Sequence, residues 1–323
     1  MLDMPPGHTE TRMPTPATPP PRSTPVAPSG APAGNRWVIG ARPRTLPAAV
    51  VPVAVGAGCA AGLPGDTWWR VALSLVVSLA LQIGVNYAND YSDGVRGTDD
   101  VRVGPVRLVA SGLAAPKSVK LAAFTAFGVA AVAGLVLATQ TTLWLLAVGL
   151  AALLAAWFYT GGPKPYGYLG LGELFVFVFF GLVATVGTTY VIAERITGTS
   201  IVMGCAVGAL ACALLVINNL RDIPTDRAVG KKTLAVRIGD ARTRNLYAGL
   251  IASAFVAAVV VAAVWRPWTA LAVVVIPLAI APVRRVRGGA AGRDLIAVLG
   301  ETGRLQMAYG LLATVGLVLS RHG

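Results

Sequence analysis

The chain has 323 residues, of which 55% are hydrophobic and only 13% charged, with a formal net charge of +13. A soluble domain carries about 25% charged residues, so an aqueous globular protein is excluded, and the absence of sustained polar–apolar alternation in the uncharged runs excludes a membrane β-barrel. The positive charge does not call for nucleic acid: 23 of the 27 basic residues fall in segments that would lie on one face of a membrane bundle, the distribution that sets topology with the basic side in the cytoplasm.

Residues 1–34 are rich in Pro, Thr, Ala and Ser and have no apolar central stretch. They read as a disordered cytoplasmic tail and not as a signal peptide. The transmembrane domain is expected over 35–323, with Trp37 and Arg42-Pro43-Arg44 anchoring the first span at the interface. About 20 apolar residues cross a bilayer. On that measure nine spans are expected, at roughly 46–64, 71–89, 121–138, 142–160, 174–193, 201–219, 246–264, 268–283 and 305–320. The eighth and ninth are short. With the N-terminus inside, only Arg70, Arg195, Arg266 and Arg321 are left on the far side, and nine spans put the C-terminus outside. The expected class is an all-α polytopic protein of the cytoplasmic membrane.

The second span ends in Asn86-Tyr87-Ala88-Asn89-Asp90-Tyr91-Ser92-Asp93, and the sixth in Asn218-Asn219-Leu220-Arg221-Asp222-Ile223-Pro224-Thr225-Asp226. Carboxylates at a membrane boundary are costly to desolvate. On a helix, Asn86, Asn89 or Asp90, and Asp93 share one face, as do Asn218, Asp222 and Asp226. Asp99 and Asp100 add acids after Gly97, and Gly230 follows Asp226 by four residues as Gly97 follows Asp93, a weak internal repeat. Mg²⁺ prefers a few carboxylates together with substrate phosphate oxygens. Two facing carboxylate pairs beside Arg96, Arg102, Arg107, Arg227, Lys231 and Lys232 therefore suit a diphosphate held through metal, with Arg107 and Lys231 or Lys232 on the phosphates. The alternative is that the acids cap helices and the cations only set topology.

A third polar island on the same face runs from Tyr159-Thr160-Gly161-Gly162 through Lys164, Tyr166 and Tyr168 to Glu173. Its glycines and prolines force an irregular loop. Tyr166 and Tyr168 are either site residues or part of the interfacial aromatic belt; Glu173 is either a helix-start acid or a substrate-facing group. Cys59, Cys205 and Cys212 sit inside spans without metal spacing, and His8 and His322 lie at the termini. No zinc site, disulfide framework or histidine base embedded in the fold is expected.

Asn89-Asp90-x-x-Asp93 with Gly97-Thr98-Asp99, Tyr159-Thr160-Gly161-Gly162 leading to Gly170-Leu171-Gly172-Glu173, and Asn219-x-Arg221-Asp222-x-x-x-Asp226-x-x-x-Gly230-Lys231 resemble the UbiA-type membrane prenyltransferases. The likeness is nearest to their 1,4-dihydroxy-2-naphthoate polyprenyltransferase branch, which Arg42-Pro43-Arg44-Thr45-Leu46 and Gly104-Pro105-x-Arg107 also resemble. It covers about 36–320. The sequence departs from the general superfamily pattern at Gly97, where that pattern has Asp, and in the spacing Tyr159-x-x-x-x-Lys164, one residue longer.

The resemblance implies about nine helices in a UbiA-type bundle around a cavity facing the cytoplasm. It implies transfer of an all-trans polyprenyl group from its diphosphate to 1,4-dihydroxy-2-naphthoate, with loss of CO₂ and diphosphate, giving demethylmenaquinone. Asp90, Asp93, Asp222, Asp226 and Asp99 are the implied ligands of Mg²⁺ or Mn²⁺. Asn86, Asn89, Arg107, Lys231 and Lys232 would bind diphosphate, Tyr159 and Lys164 would take catalytic roles, and Tyr166, Tyr168 and Glu173 would contact the acceptor. The alternatives are another acceptor (hydroxybenzoate, haem, chlorophyllide or a phosphoribose) or a secondary transporter, whose charged groups would lie near mid-membrane.

Overall fold

The computed structural model describes residues 35–65, 67–97 and 106–322. The expected 1–34 tail, Asp99 and Arg102 lie outside them. Among the described residues all regular structure is helical, with no strand.

Eleven helices carry the fold: α1 (Arg36–Ala41), α2 (Pro47–Ala60), α3 (Trp69–Arg96), α4 (Pro116–Gln140), α5 (Trp144–Phe158), α6 (Gly172–Ala193), α7 (Gly198–Ala228), α8 (Leu234–Ile238), α9 (Asp240–Val264), α10 (Pro267–Arg287) and α11 (Asp294–Leu319). Every expected span falls on a helix. Length and apolarity alone qualify six of them to cross a membrane, and a seventh if Arg36–Thr45 and Pro47–Ala60, bent by 51°, form one broken span. The other two fall short for different reasons. Trp144–Phe158 has 15 residues, about 22 Å at 1.5 Å per residue. Asp294–Leu319 is long enough but carries Asp294, Glu301 and Arg304.

Connectivity brings the C-terminal ends of α3, α5 and α7 to the same end of the bundle as the N-terminal ends of α4, α6 and α9. Two glycines fix where the aspartate-bearing helices stop. Gly97 (φ 70°) caps α3, and Gly230 (φ 75°) follows α7; both adopt the left-handed backbone that lets a helix end without a Cβ penalty.

The packing centre is α7. Met203, Leu210, Ile217 and Leu220 are buried against α2, α9 and α11 through Val55, Tyr247, Ile251 and Leu305. A second cluster joins α3, α4 and α5 through Tyr87, Ala88, Phe127 and Ala156. Between the two, α6 passes through a π-helical stretch, Phe177–Val183, of the kind often found beside functional sites. There Gly181 lies so close to α7 that a Cβ would stand 2.5 Å from the Gly208 Cα. At the end away from the aspartates, Arg70 ties three helices together, donating to the carbonyls of Val191 and Gln140, each at 2.7 Å, and to Glu194 Oε1 at 3.0 Å.

Candidate active site

A cavity of about 1050 Å³ runs between the two packing clusters. One end is ionic, lined by Asn89, Asp93, Arg107, Asp222, Asp226 and Lys231. An apolar limb, walled by α4, α5 and α6, reaches Leu137, Leu145 and Val191. Single-ligand pockets measure roughly 300–1000 Å³, so this one has room for more than a small aromatic acid. Leu135, Leu146 and Leu150 line it while being 50%, 42% and 58% exposed; the apolar limb therefore opens sideways out of the bundle.

Asp93 is the hub of the ionic end. It is buried, and its Oδ1 accepts a hydrogen bond of 2.5 Å from the Tyr168 hydroxyl. Lys231 Nζ stands 3.6 Å from the same oxygen, and Arg107 4.0 Å from Oδ2. Lys231 also lies 4.4 Å over the Tyr168 ring, and Arg96 5.5 Å from it. Burial alone would lower the pKa of Lys231, but Asp93, with Tyr168 and Asp226, outweighs it and raises the pKa above the ordinary lysine value. Lys231 is thus a fixed cation beside a carboxylate.

Arg96 also donates to the carbonyls of Thr160 and Gly162, and the Thr160 hydroxyl donates to Asn89 Oδ1 at 2.8 Å. The Tyr159–Tyr168 loop is thereby fastened to the end of α3. Tyr168 in turn meets the segment after α7, where its carbonyl accepts from Lys232 N at 2.9 Å. This is how the third polar island comes to share a site with both aspartate clusters.

Several expected residues stand elsewhere. Asp90 is fully buried and does not line the cavity; its two oxygens accept from the backbone N–H groups of Leu108 and Val109 at 2.9 and 3.0 Å. It anchors the loop that carries Arg107 and is not placed as a metal ligand. One flank of α3 differs from the next by a single residue, and the loop captures the carboxylate on its side. Asn86 borders the cavity, but its amide is spent on the Ala41 carbonyl at 2.8 Å and the Thr45 hydroxyl at 2.9 Å. Lys164 and Lys232 are exposed and outside the cavity lining.

Glu173 is buried behind the lining, with Oε1 accepting from Asn219 Nδ2 at 2.8 Å. Tyr159 and Tyr166 do line the cavity, their rings 5.6 Å apart, and Tyr166 stacks at 4.0 Å on Phe175. Tyr168 belongs to the carboxylate end and not to a separate acceptor pocket. Sequence reasoning missed Asn219, although it shares a helix face with Asp222 and Asp226. It read Arg42 and Arg44, which also line the cavity, as interfacial anchors.

Among the described residues no three carboxylate, imidazole or thiol groups converge on one point; Asp99, one of the expected ligands, lies outside them. Both Asp222 oxygens accept from Arg221, at 2.7 and 2.8 Å. Asp93 and Asp226 present hard oxygen donors to one cavity from two helices. That set fits Mg²⁺, which commonly takes one or two carboxylates and completes its shell with water and substrate phosphate.

Comparison with known proteins follows this geometry. The model of the UbiA prenyltransferase family matches residues 49–318. The 1,4-dihydroxy-2-naphthoate octaprenyltransferase of Mycobacterium tuberculosis is 54% identical over 286 residues, covering 88% of this chain and 98% of its own. Among solved structures, the apo UbiA homolog of Aeropyrum pernix superposes with TM-score 0.65 at 14% identity, over 84% of this chain and 97% of its own. A UbiA homolog of Archaeoglobus fulgidus, bound to GPP and Mg²⁺, gives 0.58 at 17% identity, over 87% of this chain and 100% of its own.

Proposed function

The chain belongs to the UbiA prenyltransferase family, and from that premise we propose that it transfers an all-trans polyprenyl group from polyprenyl diphosphate to 1,4-dihydroxy-2-naphthoate. Diphosphate and CO₂ leave, and the ring product is demethylmenaquinol, the quinol form of demethylmenaquinone. The observation that carries this reading is one cavity with an ionic end and a long apolar limb open to the side, in a chain 54% identical to an enzyme named for that reaction.

Asp93 and Asp226 would hold Mg²⁺ or Mn²⁺, which supplies charge neutralisation of the diphosphate. Lys231 and Arg107 flank Asp93 and would pair with phosphate oxygens as negative charge develops on the leaving group. Tyr168 fixes Asp93 through its hydroxyl. Asn89, oriented by Thr160, presents its amide to the same end.

The prenyl chain lies in the limb between α4, α5 and α6, whose apolar walls exclude water from the allylic cation. The bond from prenyl C1 to the diphosphate oxygen breaks, and the electron-rich ring carbon that bears the carboxylate bonds to C1. The bond to the carboxylate carbon then breaks, returning its electron pair to the ring as CO₂ departs. Tyr159 and Tyr166 border the space where the ring would sit.

The protein would reside in the cytoplasmic membrane with its N-terminus and the aspartate end inside and its C-terminus outside, a reading supported by the basic residues gathered at that end. Purified enzyme given a panel of aromatic acceptors with polyprenyl diphosphates, read by mass spectrometry, tests the assignment. The expected product is prenylated naphthoquinol; product from hydroxybenzoate and none from dihydroxynaphthoate would overturn it.

A further inference from the structure

We propose that Arg42, with Arg44 beside it at the rim, forms the binding site for the carboxylate of the aromatic acceptor. The inference rests on the naphthoate reading above and adds the residues that would recognise its acid group.

Arg42 has φ 53° and ψ 71°, and among the described residues only Glu194 is the other non-glycine with positive φ. L-residues rarely adopt this conformation, and it tends to persist at ligand sites where the surroundings over-determine it. The surroundings here do so. Asn86 Nδ2 donates to the Ala41 carbonyl and the Thr45 hydroxyl, Gln82 Nε2 reaches the same hydroxyl at 3.1 Å, and Thr45 donates back to the Arg42 carbonyl from both N and Oγ1 at 2.9 Å. Two amides of α3 are thus committed to holding a left-handed bend between α1 and α2. The result of that bend is that Arg42 borders the cavity.

The guanidinium is half-buried and makes one hydrogen bond, to the Asn86 carbonyl at 3.4 Å; among the described residues neither Arg42 nor Arg44 has a carboxylate partner. A cation held at an apolar cavity without a counter-charge suits an anionic ligand. That anion need not be the diphosphate, which has its own cations in Lys231 and Arg107. Asn86 precedes Asp93 by seven residues on α3, so Arg42 touches the helix about 10 Å along its axis from the ionic end, at 1.5 Å per residue. An aromatic ring fits between two such poles, and the planar fork of arginine matches a carboxylate through two parallel hydrogen bonds.

The test uses the full-length enzyme in liposomes and Arg42→Asn, since Asn tolerates the left-handed backbone. KM for 1,4-dihydroxy-2-naphthoate should rise about tenfold or more, the loss expected for a charge-assisted pair, while KM for the prenyl diphosphate stays unchanged. Arg44→Ala should shift the acceptor KM in the same direction by less. With 1,4-dihydroxynaphthalene, which lacks the carboxylate, the difference between wild type and both variants should vanish. A rise in donor KM, an unchanged acceptor KM, or an equal defect with the analogue would overturn the proposal. Should Arg42→Asn fail to fold, Arg44→Ala with the paired acceptors still decides it. Failure of the wild type to turn over dihydroxynaphthoate would instead sink the functional reading itself.

Discussion

Tyr168→Phe isolates the contact on which the ionic end is built. The substitution keeps the ring, so Lys231 retains its position 4.4 Å over it, and removes only the hydroxyl that donates to Asp93 Oδ1 at 2.5 Å. A hydrogen bond to a charged group contributes about 1.5–3 kcal/mol. With Lys231 and Arg107 still beside Asp93, taking about 2 kcal/mol as the loss corresponds to roughly a 30-fold change at 1.4 kcal/mol per tenfold. If Asp93 holds metal against the diphosphate, that loss should appear in kcat/KM for the prenyl donor and in a raised Mg²⁺ requirement, with acceptor KM unchanged. Initial rates in liposomes, varying donor and Mg²⁺ at saturating acceptor, measure it. Full donor kcat/KM in the variant, or a defect confined to acceptor KM, would refute the placement of Tyr168 at the carboxylate end.

Asp90→Asn should act on stability and Asp93→Asn on chemistry. Asp90 accepts two backbone N–H groups of the Arg107 loop, so its loss should cost about 2–4 kcal/mol and lower the thermal midpoint, whereas Asp93→Asn should abolish turnover with little change in midpoint; the reverse pattern would contradict both placements. Arg70→Met removes three hydrogen bonds at the far end of the bundle and should cost about 3 kcal/mol while leaving both KM values unchanged, as thermal unfolding and kinetics would reveal.

Lys231 has its pKa raised above 10.5, so its pairing contributes fully below that pH and is lost only as pH rises through the higher folded value. Lys231→Gln should therefore weaken donor binding by the same factor at about pH 6.5 and about pH 9. A wild-type advantage that disappears by the higher pH would contradict it. Excess EDTA should stop turnover and added Mg²⁺ restore it; full activity in EDTA would exclude the metal role.

Much of this arrangement was legible in the sequence because its causes are local. Hydropathy alone locates nine of the eleven helices and misses the short α1 and α8, while the Gly97 and Gly230 spacing, read as a weak repeat, marks where the two aspartate-bearing helices end. Helical periodicity put Asn89, Asp93, Asp222 and Asp226 on the cavity. What it could not resolve is which carboxylate on a crowded turn faces which neighbour. Asp90 and Asp93 are both compatible with the same face until the loop at 108–109 claims one of them. The partner loops are long-range contacts, and so is the bend that brings Arg42 inward: it depends on Asn86 and Gln82, more than 35 residues away. Lys164 belongs to the polar island and has an implied catalytic role, yet its side chain is exposed. Charge patterning reports the side of the membrane and not the direction of a side chain.

The central claim, that one cavity joins a prenyl diphosphate to a carboxylated naphthalenediol, is tested most directly with acceptor labelled at the carboxylate carbon. Reconstituted enzyme with Mg²⁺ and polyprenyl diphosphate should release labelled CO₂ in step with prenylated product, one for one, and none when Asp93 is replaced by Asn. A prenylated product that keeps the label, or no product from this acceptor, would contradict the account.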